Sequence, residues 1–170
     1  MTNILVLAEV RGGAVKRPSL ETVTAALQLA QSNGGKVVVI ACGSGLDAAC
    51  AELGKSGAHK VVAIDGASFA NYSGDAYAKA IAEHCKSNGA AAVLMAHTAM
   101  GKDLLPRVAA LLDASIVTDA IAVGFEGGAF TAKKPVHTHT HTHTHTHLVQ
   151  CLVTATHPLY ARRHYSAPDA

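Results

Sequence analysis

Six histidines stand at every second position from His137 to His147, inside KKPVHTHTHTHTHTHL. Neutral imidazoles are ligands for Zn²⁺, Ni²⁺ or Cu²⁺. In an extended strand, a period of two puts His137, His139, His141, His143, His145 and His147 on one face. A dedicated metal site also needs fixed geometry and a supporting layer of hydrogen bonds, which a repeat does not supply. The tract is read as a promiscuous surface chelator at most, with no specific metal. Its origin is read at the level of nucleic acid, since an alternating run of C and A spells His-Thr in every phase. Slippage in such a run by a number of bases not divisible by three shifts the frame. The remainder, LVQCLVTATHPLYARRHYSAPDA, has no amphipathic period and reads as that product. Residues 137–170 are therefore expected to form a low-complexity tail, disordered or frameshifted.

A second set of reactive side chains lies in AHTAMGKD, where His97, Thr98, Gly101, Lys102 and Asp103 follow an apolar run. Arg107 comes one helical turn after Asp103, and Glu9 and Arg11 follow the first apolar run. In a doubly wound sheet, ligands bind beyond the carboxyl ends of the strands where the winding reverses. That crevice falls between 8–11 and 97–101. One reading is a nucleotide or partner surface. The other has His97 and Thr98 capping the strand end and the next helix, with Lys102 and Asp103 solvated. ACGSGLDAA, from Ala41 to Ala49, sits where a phosphate-binding turn would, but Ala48 takes the place of the third glycine, so a tight strand-to-helix turn explains it. There is no Walker A pattern. No carboxylate pair, nucleophile–base pair or Cys/His ligand set is suggested by spacing, and the chain is read as a non-enzyme.

The elements that must position these residues alternate in texture. Apolar runs at Asn3–Ala8, Lys36–Ala41, Lys60–Ile64 and Ala91–Ala96, with a weaker one at Ser115–Val117, predict strands buried on both faces. Helices are predicted between them. The first is capped by Ser19, carries Val23, Ala26, Leu27 and Ala30 on one face, and ends at Gly34–Gly35. The third has Ala76, Ala80, Ile81 and His84 in line. The fourth starts close to Leu105, because Pro106 is tolerated only in a first turn. FEGGAF predicts a hairpin turn with Ala129–Lys134 as its return strand. The order implies an α/β, doubly wound, mostly parallel, Rossmann-like sheet with a C-terminal hairpin.

Composition supports this class. Of 170 residues, 49% are hydrophobic and 15% charged, which suits one domain with a covered sheet. A net charge of +2, without any Lys/Arg stripe, excludes an electrostatic case for nucleic acid. Cys42, Cys50, Cys85 and Cys151 form no CxxC pair and read as buried thiols. No apolar stretch reaches the length of a membrane span, so no membrane insertion is expected. No leader or presequence is visible, and the expected location is cytoplasmic if bacterial, the mitochondrial matrix if eukaryotic.

Residues 1–136 resemble the N-terminal domain of the electron transfer flavoprotein alpha subunit. NILVLAEV, VVVIACGSGLDAACAELGKSGAHKVVAID and GKDLLPRVAALLDASIVTDAIAV, continued to FTAKKPV, carry the resemblance. The run Gly101–Asp119 is the most specific. The resemblance implies a scaffold and subunit-interface domain that pairs with a beta subunit. The intact heterodimer carries electrons on FAD, from dehydrogenases such as acyl-CoA dehydrogenases toward the quinone pool. FAD belongs mainly to a separate C-terminal domain whose motifs are not found after Val136, so no cofactor is expected on this chain alone. Glu9, Arg11, His97, Thr98, Gly101, Lys102, Asp103 and Arg107 are then switch-point or interface candidates. The rival readings are a stand-alone nucleotide-binding module of universal-stress type and a histidine-rich metal-binding protein.

Overall fold

The computed structural model describes residues 3–136, 139–145 and 150–154, with side chains as far as Lys134. In chain order, strand β1 spans Asn3–Ala8, and the short strands β2 (Val10–Arg11) and β3 (Ala14–Val15) form a hairpin. Helix α1 (Arg17–Asn33) leads to β4 (Lys36–Gly43), α2 (Asp47–Gly54) and β5 (Lys60–Asp65). A single 3₁₀ turn at Ala67–Phe69 precedes α3 (Gly74–Ser87), β6 (Ala90–Ala96) and α4 (Ala99–Leu112). The rest is β7 (Ser115–Ala120), β8 (Ala122–Glu126), β9 (Ala129–Val136), β10 (His139–His145) and β11 (Gln150–Thr154).

The main sheet runs β5-β4-β1-β6-β11-β7, and every pairing in it is parallel. β1, β4 and β6 are buried almost throughout, as apolar runs covered on both faces require. Strand alternation separates two cores. Ile4, Val6, Val37, Val39 and Leu94 pack under α1 and α2, where Val23, Ala26, Leu29 and Leu53 meet them. Leu5, Leu7, Val38, Ile40, Val93 and Met95 face α3 and α4. Helices on opposite faces make the sheet doubly wound, with the α/β class expected from the sequence. No helix among the described residues is long and apolar enough to cross a membrane.

Several local expectations change. Ser19 does not cap α1; Lys16 takes that position, and Ser19 lies buried inside the first turn. Its hydroxyl instead accepts the Glu9 N–H at 2.8 Å, tying the end of β1 to α1. α4 starts at Ala99 rather than near Leu105, so Pro106 lies inside the helix. An interior proline costs about 3 kcal/mol. It is offset by the Thr98 cap and by burial of Leu104, Leu105, Val108 and Ala109. The inward face of α3 is Tyr77, Ala78, Ile81, Ala82 and Cys85, one position round from the expected line. Large side chains, rather than the alanines at 76 and 80, set its rotation.

The hairpin from β8 to β9 turns at Gly127 and Gly128, with φ of 59° and 84°, as a two-residue turn with left-handed positions requires. β10 then adds antiparallel to β9, making a three-stranded sheet β10-β9-β8. The sequence reading ends the domain at residue 136; the described backbone beyond it continues to pair with the domain. β11 lies between β6 and β7, so β7 joins the main sheet through it. His137 and His147 fall outside the described residues.

Candidate functional site

The winding reverses between β1 and β6, the neighbours at the centre of the sheet. Glu9 follows β1 and Thr98 follows β6, so the topology brings together two loops 89 residues apart. Thr98 is the N-cap of α4, and its Oγ1 accepts the Gly101 N–H at 3.1 Å. The same hydroxyl donates to Glu9 Oε2 at 2.7 Å. The Glu9 backbone is held at both ends, since its carbonyl accepts the Lys16 N–H at 2.9 Å while its own N–H goes to Ser19. A carboxylate of the chain itself therefore stands beside the helix N-terminus, where an anion would otherwise be stabilised. Gly101 is needed for close approach, because a Cβ there would overlap the Ala96 carbonyl oxygen.

The second strand-to-helix turn is filled in the same manner. Gly45 and Leu46 donate their N–H groups to Asp65 Oδ1 and Oδ2, at 3.0 and 2.9 Å. A side-chain carboxylate takes the two donors that a phosphate would need. ACGSGLDAA is thus a tight turn, stapled from the end of β5.

Asp103 and Arg107 meet, but outside the crevice floor. Arg107 contacts Asp103 Oδ1 at 3.0 Å and Asp75 Oδ1 at 2.7 Å, linking α4 to α3. The Tyr72 hydroxyl donates to Asp103 Oδ2 at 2.6 Å. The Tyr72 bond and then Arg107 hold the Asp103 carboxyl below the usual carboxylate range. Between this cluster and the β2–β3 hairpin lies a cavity of about 710 Å³, lined by Glu9, Arg11, Tyr72, Tyr77, Met100 and Asp103 among others. Lys102 is exposed and stays apart from it.

His97 turns toward β7 instead of the crevice. Its Nε2 lies 3.8 Å from Asp119 Oδ1, and its buried Nδ1 has no partner among the described residues. Burial pushes the His97 pKa down, Lys102 and Lys134 add to this, and Asp119 opposes it. Asp119 is a non-glycine residue at φ 60°, a left-handed conformation that stores strain within β7.

The sequence reading sets 8–11 against 97–101, and the structure joins Glu9 to Thr98 across that crevice. Sequence reasoning missed Asp65, Tyr72, Tyr77 and Asp119. The turn after VVAID is the signal for Asp65, but its target lies 19 and 20 residues earlier in the chain. Among the residues with described side chains, no nucleophile is paired with a base and no group of three or more His, Cys, Asp or Glu is able to hold a metal. A flavin pyrophosphate needs free N–H groups at a helix start. The turn into α2 gives the Gly45 and Leu46 N–H groups to Asp65, Thr98 takes the Gly101 N–H at α4, and at α1 Pro18 has no N–H and that of Ser19 bonds the Lys16 carbonyl.

The family described as the electron transfer flavoprotein domain matches residues 4–163. The chain belongs to the electron transfer flavoprotein family. The match continues past residue 136, where the resemblance read from the sequence stops. An electron transfer flavoprotein subunit alpha from Bacillus subtilis is 30% identical over 79% of this chain and 41% of its own length. One from Syntrophomonas wolfei is 31% identical over 75% of this chain and 39% of its own. An acryloyl-CoA reductase electron transfer subunit beta from Anaerotignum propionicum is 32% identical over 69% and 32%. The chain thus spans about two-fifths, or less, of the length of these curated electron transfer flavoprotein relatives.

Proposed function

We propose that this chain supplies the N-terminal scaffold and subunit-interface part of an electron transfer flavoprotein alpha subunit. In this reading it is an electron-carrier subunit and not a catalyst. Its partner is the beta subunit, and FAD is held by the intact heterodimer outside residues 1–136. Dehydrogenases, of which acyl-CoA dehydrogenases are the leading class, supply the electrons, and the quinone pool receives them.

One observation carries the reading beyond family membership. The two places where an α/β domain of this topology would grip a nucleotide phosphate are occupied by Glu9 with Thr98 and by Asp65. Internal bonding of the Gly45, Leu46 and Gly101 N–H groups suits a scaffold better than a phosphate grip. The same bonds weigh against a stand-alone nucleotide module of universal-stress type.

Co-expression with the beta subunit from the same source tests the pairing. A stable one-to-one complex on size exclusion is expected. Complete separation of the two chains at micromolar concentration would contradict the interface assignment.

A further inference from the structure

We propose that β10 is a chelating strand that takes Zn²⁺, Ni²⁺ or Cu²⁺ through histidines two residues apart. The family role leaves this motif unused, and the inference does not depend on that role. His139, His141, His143 and His145 occupy alternate positions of a strand. The strand is held against β9 in one unbroken register, from His139 opposite Val136 to His145 opposite Phe130.

Positions i and i+2 of a strand share a face and lie roughly 6.8 Å apart. Two nitrogens on a tetrahedral ion with bonds of about 2.0 Å sit roughly 3.3 Å apart. Imidazoles can close that difference by rotation about their own side-chain bonds, with no change of backbone. The pairing with β9 has already fixed the backbone, so the ordering cost that a loose histidine tract bears on binding is reduced. Imidazole selects borderline transition metals; Ca²⁺ and Mg²⁺ require oxygen ligands and are excluded. Lys134 stands opposite His141 in register, and its ammonium opposes a cation there. Its Nζ donates to Thr118 Oγ1 at 3.3 Å, toward β7. Binding requires neutral imidazoles, so protons compete with the metal.

The test titrates the full chain with NiCl₂ at pH 7.5 by calorimetry and reads Tm in parallel. Ni²⁺ is expected to bind and to raise Tm, because an ion held by the paired strand stabilises the folded state. The variant H139Q/H141Q/H143Q/H145Q is expected to lose affinity on the order of a hundredfold, since chelation is removed. Its Tm shift should disappear as well. If that variant does not fold, H139Q/H141Q and H143Q/H145Q, each deleting one pair, are each expected to weaken binding and shrink the Tm shift. Unchanged affinity in the variants places the ligands elsewhere and overturns the proposal. Binding with no rise in Tm overturns it too, because the ion would then be held by a tract that is not the paired strand.

Discussion

At the scale of single residues, Thr98 joins the two halves of the crevice. Replacing it with valine keeps the shape and removes both hydroxyl bonds, to Gly101 and to Glu9. A lost helix cap costs about 1 kcal/mol. A urea midpoint lowered by the equivalent of about 1 kcal/mol at unchanged slope is the expected result for Thr98→Val. His97 gives a pH dependence. Its folded pKa is depressed, chiefly by burial. As pH falls through the ordinary imidazole value of about 6.5, the unfolded chain takes up a proton that the folded chain still refuses. Stability should therefore decrease with falling pH in that window, and His97→Gln should flatten the profile. Thiols offer a third check. Burial raises Cys42 and Cys85 to about 12, so neither should react with iodoacetamide at pH 8 until the chain unfolds. Thr98 was legible in the sequence because a cap is a local device. Asp65 was not, since its bonds depend on which strands become neighbours.

At the scale of elements, the strands were legible and the helix details less so. Apolar runs such as VVVIA and AAVLMA can be satisfied only between two covered faces, and β4 and β6 lie there. The rotation of α3 was misjudged because alanines count as apolar without dictating packing; Tyr77, Ile81 and Cys85 do. Tyr77 is fixed further by its hydroxyl bond to the Phe69 carbonyl at 2.8 Å and by edge-on contact with the Phe69 ring. The Pro106 rule alone starts α4 too late, because the cap at Thr98 sets its beginning at Ala99. Gly101 is the point on which the first turn of α4 approaches β6. Gly101→Ala drives a methyl group into the Ala96 carbonyl, and a loss of at least about 2 kcal/mol is expected, as for other overpacked sites. Chemical denaturation measures it; a change below half that value would mean α4 can shift without cost.

At the scale of the whole molecule, sheet order is what the sequence hid most. Alternation of strands and helices predicts a doubly wound sheet, but it does not reveal a strand entering from beyond a hairpin and a histidine repeat. β11 separates β6 from β7. Deletion of 137–170 is expected to lower Tm and broaden the unfolding transition, because β7 loses its neighbour in the main sheet. An unchanged transition would mean that these residues contribute nothing to the fold, as a frameshifted tail would. Family membership explains the architecture.

The measurement that tests this account most directly is titration of the purified chain with FAD and with AMP, followed by flavin fluorescence and calorimetry. The account predicts no stoichiometric complex with either ligand, because Asp65 already takes the Gly45 and Leu46 N–H groups, Thr98 takes that of Gly101, and the Glu9 carboxylate stands beside it. A one-to-one yellow complex with FAD, or saturable binding of AMP at micromolar concentration, would contradict it.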